Sequence, residues 1–174
     1  MIEFFPAVAV LAGIAGLFAF FSTSAKATPK APAVVATLDT LYKKHARLHG
    51  VDWKLLKAIA QVESSENVNA ENPADPSFGL MQILCQGSGA TCTNKLNVDG
   101  WPPKNKQQLF DPDYNIHIGA QILAWNQQRY GFKRGIAVYN CWSCRTAPPD
   151  GPFKNQDYVD KVLTKFSGLG GRVG

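Results

Sequence analysis

Residues 53–84 read WKLLKAIAQVESSENVNAENPADPSFGLMQIL. Asp52 stands where a side-chain oxygen can cap a helix over WKLLKAIAQVES, and on that helix Leu56, Ala60 and Glu63 fall at i, i+4 and i+7. A carboxyl-bearing residue therefore continues an apolar face, whereas most glutamates sit on a solvated one. Burial disfavours the carboxylate, and the nearby helix C-terminus is also unfavourable for negative charge. Both effects hold Glu63 protonated near neutral pH, the state a general acid needs to cleave an acetal. A polar loop follows, and FGLMQIL then predicts a short further helix.

Working outward, Leu38, Leu41, Tyr42 and His45 recur at helical spacing until Gly50 stops the run. Downstream, Asp111 is a ready N-cap and Pro112 occupies the first turn, where its missing N–H costs least. Ile116, Ala120 and Leu123 form the stripe of that helix, and Gly131 ends it. A short helix around Arg134 to Tyr139 comes next. A last one follows, with Tyr158, Val159, Val162, Leu163 and Phe166 on one face. No long alternating run marks a major strand. The expectation is an all-α or predominantly α domain over residues 34–167, with a flexible tail at 168–174.

Residues 4–21, FFPAVAVLAGIAGLFAFF, carry no charge and approach the length of a hydrocarbon core as a helix. Residues 1–22 are thus expected to be a hydrophobic N-terminal helix. It is either a retained transmembrane anchor or a signal cleaved at Ala25-Lys26-Ala27, with Glu3 standing against the signal reading. Residues 23–33 read as a tether. The net charge of +5 suits an anionic polymer or surface. No dense basic cluster or zinc-finger spacing points to nucleic acid, which is not expected as a partner.

In an exported chain, Cys85 with Cys92 and Cys141 with Cys144 are expected to form local disulfides, with a four-thiolate zinc site as the alternative. His45 and His49 are four apart, but there is no H-E-x-x-H. These histidines and the isolated His117 read as ordinary surface or partly packed residues. No metal and no cofactor are expected.

Glu63-Ser64, Asn69-Ala70 and Ser77-Phe78-Gly79-Leu80-Met81-Gln82-Ile83 together resemble the catalytic core of the soluble lytic transglycosylase domain. That family has a lysozyme-like fold related to goose-type lysozyme. Leu109-Phe110-Asp111-Pro112 with Asn115-Ile116 and Gly119 resembles the start of its central helix. Ala137-Val138-Tyr139-Asn140 resembles its A-x-Y-N motif, and Tyr158-Val159 its closing tyrosine. The blocks keep family order. Where the family usually continues with Ala-Gly after Tyr-Asn, this chain has Cys141-Trp142-Ser143-Cys144. It also carries an insertion from Cys85 through Trp101.

The resemblance implies a catalytic Glu63, with Ser64, Ser77, Gly79, Met81, Gln82, Tyr139, Asn140 and Tyr158 as substrate-binding or orienting residues. Trp142, in the stretch that departs from the family, either adds a surface able to stack on sugar or is simply buried. The implied reaction is lytic cleavage of the bond between N-acetylmuramic acid and N-acetylglucosamine in peptidoglycan, leaving 1,6-anhydromuramic ends. A second enzymic carboxylate is not required, because the nucleophile belongs to the substrate. Candidates for such a partner are Glu66, Glu71, Asp75 and Asp111. Hydrolysis by a muramidase and a wall-binding module with little turnover are the alternatives. Domains of this design suggest local wall opening with phage or secretion-machine partners. The expected location is membrane-associated through residues 4–21, facing the periplasm or cell wall, or in a phage virion membrane. The alternative is a soluble exported form after signal cleavage.

Overall fold

The computed structural model describes residues 37–85 and 105–173. The hydrophobic segment, the tether, Cys92 and Trp101 lie outside the described residues.

Helix α1, Leu38–His49, starts where the Thr37 hydroxyl accepts from the Thr40 N–H, and ends at Gly50 in the left-handed region, φ 70°. Helix α2, Trp53–Ser64, is capped by Asp52, which accepts from the Lys54 N–H at 2.8 Å. Its Leu55, Leu56, Ala58, Ile59 and Ala60 are fully buried. Helix α3, Pro112–Tyr130, is the central one, capped by Asp111 with Pro112 in its first turn. Helix α4, Phe132–Asn140, packs on α3, and α5, Gln156–Gly168, packs on α2 and α4. Two 3-10 turns, Lys106–Phe110 and Trp142–Thr146, precede α3 and follow α4. The core joins Tyr42, Leu56, Ile59, Leu80, Met81, Ile116, Leu123, Ile136, Val159 and Phe166.

FGLMQIL is not a helix, which corrects the expectation. Three two-residue strands, β1 Glu71–Asn72, β2 Ser77–Phe78 and β3 Ile83–Leu84, form an antiparallel sheet in that order. The tight connection between β2 and β3 places both Gly79 (φ 75°) and Gln82 (φ 46°) in the left-handed region, which no α-helix accommodates. Asn115, fully buried on α3, holds this turn in place. Its Oδ1 accepts from the Met81 N–H at 2.8 Å, while Nδ2 donates to the carbonyls of Phe78 at 2.9 Å and Leu109 at 2.8 Å. A Cβ on Gly79 would collide with the Leu109 carbonyl and the Asn115 amide, so the close approach requires glycine.

Where α1 crosses α3, His45, His49 and His117 meet. Burial and the two neighbouring imidazoles hold His117 down to about 4, and burial lowers His49 as well.

Candidate active site

The stripe of α2 that buries Leu56 and Ala60 delivers Glu63, partly buried, to the wall of a groove of about 300 Å³. Loop and sheet residues Asn72, Asp75, Ser77, Gln82, Ile83 and Leu84 line one side. Ile122, Trp125 and Asn126 of α3 line the other, with Val138, Tyr139, Asn140 and Trp142 from α4 and the turn beyond it.

Burial lifts the Glu63 carboxyl from its ordinary 4.5 to about 7, and the charge of Asp75 pushes the same way. One donor opposes them: the Tyr158 hydroxyl donates to Glu63 Oε1 at 2.7 Å, which favours the carboxylate. Near neutral pH this acid is close to half protonated, suited both to giving and to taking back a proton. Burial and the nearby Glu63 charge hold Tyr158 and Tyr139 far above the ordinary tyrosine range, so both hydroxyls keep their protons as donors.

Of the residues expected at the site, Glu63, Ser77, Gln82, Tyr139 and Asn140 line the groove, and Tyr158 reaches it through its bond to Glu63. Tyr139 donates to the Met81 carbonyl at 3.0 Å, and Asn140 Oδ1 accepts from Asn155 at 3.1 Å. The Gln82 amide nitrogen donates to the Gly79 carbonyl at 3.0 Å and to that of Ala70 at 3.4 Å. Its oxygen is thereby the atom left to meet a substrate donor.

Ser64, Gly79 and Met81 stand behind the groove. The Ser64 hydroxyl lies 2.8 Å from the Leu80 carbonyl and 3.2 Å from that of Ala60, tying the end of α2 to the β2–β3 turn. Met81 is fully buried with its sulfur against Gly119, where a Cβ would collide with it. These three shape the wall on which Glu63 and Gln82 stand.

Of the four other carboxyls weighed as partners for Glu63, only Asp75 lines the groove. Glu66 accepts from Gln61 at 3.1 Å, Glu71 pairs with Lys106 at 2.7 Å, and Asp111 caps α3.

Trp125 and Asn126 were not anticipated. Trp125 stacks near-parallel on Trp142, their ring centroids 6.3 Å apart, so the groove carries an aromatic wall. Asn126 is 2% exposed, three residues beyond Leu123 on the buried stripe, and a polar residue on such a stripe is the signal that could have found it. The Cys141–Cys144 disulfide closes the turn that presents Trp142. Cys85 is disulfide-bonded too, and its expected partner Cys92 lies outside the described residues.

The sequence profile described as "Transglycosylase SLT domain" matches residues 40–157. The chain belongs to that family. This SLT domain is 36% identical over 91 residues to membrane-bound lytic murein transglycosylase C of Sodalis glossinidius (strain morsitans), covering 52% of this chain and 24% of that protein. It is 35% identical over 97 residues to membrane-bound lytic murein transglycosylase E of Buchnera aphidicola subsp. Acyrthosiphon pisum, covering 56% of this chain and 39% of that protein. Among solved structures it resembles the 70 kDa soluble lytic transglycosylase from Escherichia coli, with a TM-score of 0.55 and 26% identity over 75% of this chain and 24% of that one. A structure of a 70 kDa soluble lytic transglycosylase with bulgecin A gives a TM-score of 0.57 and 28% identity, over 74% of this chain and 23% of that one. The chain thus spans well under half the length of these relatives.

The solved structures correct the expected membrane-associated location, since both are of soluble lytic transglycosylases, whereas the two curated relatives carry membrane-bound names. Among the described residues, which do not include 4–21, no helix is long and apolar enough to cross a membrane.

Proposed function

We propose that the SLT domain cuts the glycan strands of peptidoglycan by lytic transglycosylation, with Glu63 as both acid and base. The observation that carries this reading is a carboxyl lifted to about 7 in a groove and held by a tyrosine donor. Protonated Glu63 gives its proton to the glycosidic oxygen as the bond to C1 of N-acetylmuramic acid breaks, releasing the N-acetylglucosamine hydroxyl. Positive charge develops at C1. The muramic acid's own C6 hydroxyl then attacks C1 and passes its proton to the Glu63 carboxylate, which restores the acid and leaves a 1,6-anhydro end. Because attacking group and reacting centre share one sugar, their effective concentration is high. Tyr158 and Tyr139 stay protonated beside Glu63, and the Trp125–Trp142 wall offers an apolar face to a pyranose ring.

Asp75 favours a second reading, hydrolysis. It is the one further carboxyl among the residues lining the groove, and it can position a water on C1. Mass spectrometry of muropeptides from purified peptidoglycan separates the two. Anhydromuramic ends made by the unmodified chain and not by Glu63→Gln support transglycosylation, and reducing ends select hydrolysis. A folded chain that releases neither favours a wall-binding module or an enzyme that requires its machine. Either reaction requires the domain to act outside the cytoplasm. That the cut serves a phage or secretion machine is the finest part of the proposal and rests on the family resemblance alone.

A further inference from the structure

His45 and His49 lie one turn apart on α1, and His117 faces them from α3. None of the three lines the groove. One nitrogen from each ring converges, all within 4.8 Å of one another. His117 Nδ1 is 3.0 Å from His49 Nε2 and 3.2 Å from His45 Nδ1. The other nitrogen of His45, Nε2, lies 2.6 Å from Asp113 Oδ1, which assigns its hydrogen to that side and turns the Nδ1 lone pair toward the cluster.

Hydrogen bonding between the rings accounts for this arrangement only in part. His117 Nδ1 carries either one hydrogen or one in-plane lone pair, so it serves one of its two short contacts well and leaves the other poorly matched. A cation at the common point satisfies all three rings at once. Nitrogens bound about 2.05 Å from a tetrahedral ion stand about 3.3 Å apart, close to the 3.0 and 3.2 Å found at His117. The His45 and His49 nitrogens, within 4.8 Å, draw together on binding. We propose that His45, His49 and His117 bind one divalent transition-metal ion, Zn2+ foremost, which clamps α1 to α3.

Asp113 supplies the supporting half of such a site, since a carboxylate on the far nitrogen of a metal-bound histidine fixes its orientation and raises its basicity. Lys44 lies 2.7 Å from Asp113, whose carboxylate pairs with both it and His45. Three imidazoles with no oxygen ligand favour Zn2+, Ni2+, Co2+ or Cu2+ over Mg2+ or Ca2+. Three protein ligands leave a fourth position to solvent. The site is independent of the catalytic proposal.

The test uses the full chain without a polyhistidine tag, stripped with a chelator and dialysed. It is titrated with Co2+ by visible absorption and with Zn2+ by calorimetry, and melted with and without each ion. The expected result is one ion per chain at micromolar or tighter Kd, a tetrahedral Co2+ spectrum and a Tm raised by several degrees, with Mg2+ giving none of these. His117→Gln and His49→Gln should each weaken Zn2+ binding at least ~100-fold, and Asp113→Asn ~10-fold or more. His49 is partly exposed at the end of α1, so its variant carries the test if His117→Gln fails to fold. Absence of saturable binding to the unmodified chain, or equal binding by the folded histidine variants, overturns the proposal.

Discussion

Glu63 and Asp113 are both helix carboxyls within one small domain, and their surroundings push them in opposite directions. Glu63 lies in the last turn of α2, where the helix dipole disfavours its charge, and burial lifts it to about 7. Asp113 lies in the first turn of α3, where the dipole favours charge, and bonds from Lys44 and His45 hold it below the ordinary range. One carboxyl is largely desolvated and has a single neutral donor. The other is about half exposed and doubly paired. Helical sequence positions these groups, but the reactivity of each comes from what the neighbouring elements bring to it.

The two also respond to pH with opposite signs. Glu63 binds its proton more tightly in the folded chain, so its contribution to stability falls as pH rises from 4.5 to about 7. Asp113 binds its proton less tightly when folded, so its contribution is present at neutral pH and is lost on acidification.

Glu63→Gln should give the largest effect. Turnover of peptidoglycan should fall by roughly 10³-fold or more. Above pH 7 the variant should be more stable than the parent by up to roughly 3 kcal/mol, with the gap closing toward pH 4.5. Urea melts across pH check the second part. A variant with no stability gain at high pH would place Glu63 among ordinary carboxylates.

Asn115→Ala tests whether the groove wall depends on its three buried bonds. It strands the Met81 N–H and two carbonyls, so a loss of roughly 3 kcal/mol or more is expected in denaturant melts.

Tyr158→Phe should lower turnover by roughly tenfold, because it removes the donor on Glu63. Since that donor favours the carboxylate, its loss raises the Glu63 pKa further and should move the alkaline limb of the kcat/KM profile to higher pH. A limb that moves to lower pH would break the comparison.

Asp113→Asn is the smallest expected change. Its pair with Lys44 is about half exposed, so the loss should be about 1 kcal/mol or less at pH 7 and smaller in acid, with turnover unchanged.

Much of this was legible in the chain itself. Asp52, Gly50, Asp111-Pro112 and Gly131 bound their helices in the structure as read, and the α2 stripe pointed to Glu63. The β2–β3 turn was not legible. Strands of two residues have no alternation to detect, and the close approach at Gly79 depends on Asn115, 36 residues away. Asn126 and Trp125 were hidden for a related reason, since a helix stripe says which face is buried but not that part of it borders a groove. His45 and His49 were visible as a pair. Their third member comes from α3, a tertiary contact that spacing along the chain cannot reveal.

A 13C-NMR pH titration of the Glu63 carboxyl, assigned by its loss in Glu63→Gln, tests the central claim most directly. The account predicts a midpoint near 7, rising further in Tyr158→Phe. A midpoint at the ordinary 4.5 in the folded chain would contradict it and remove Glu63 as an acid at neutral pH.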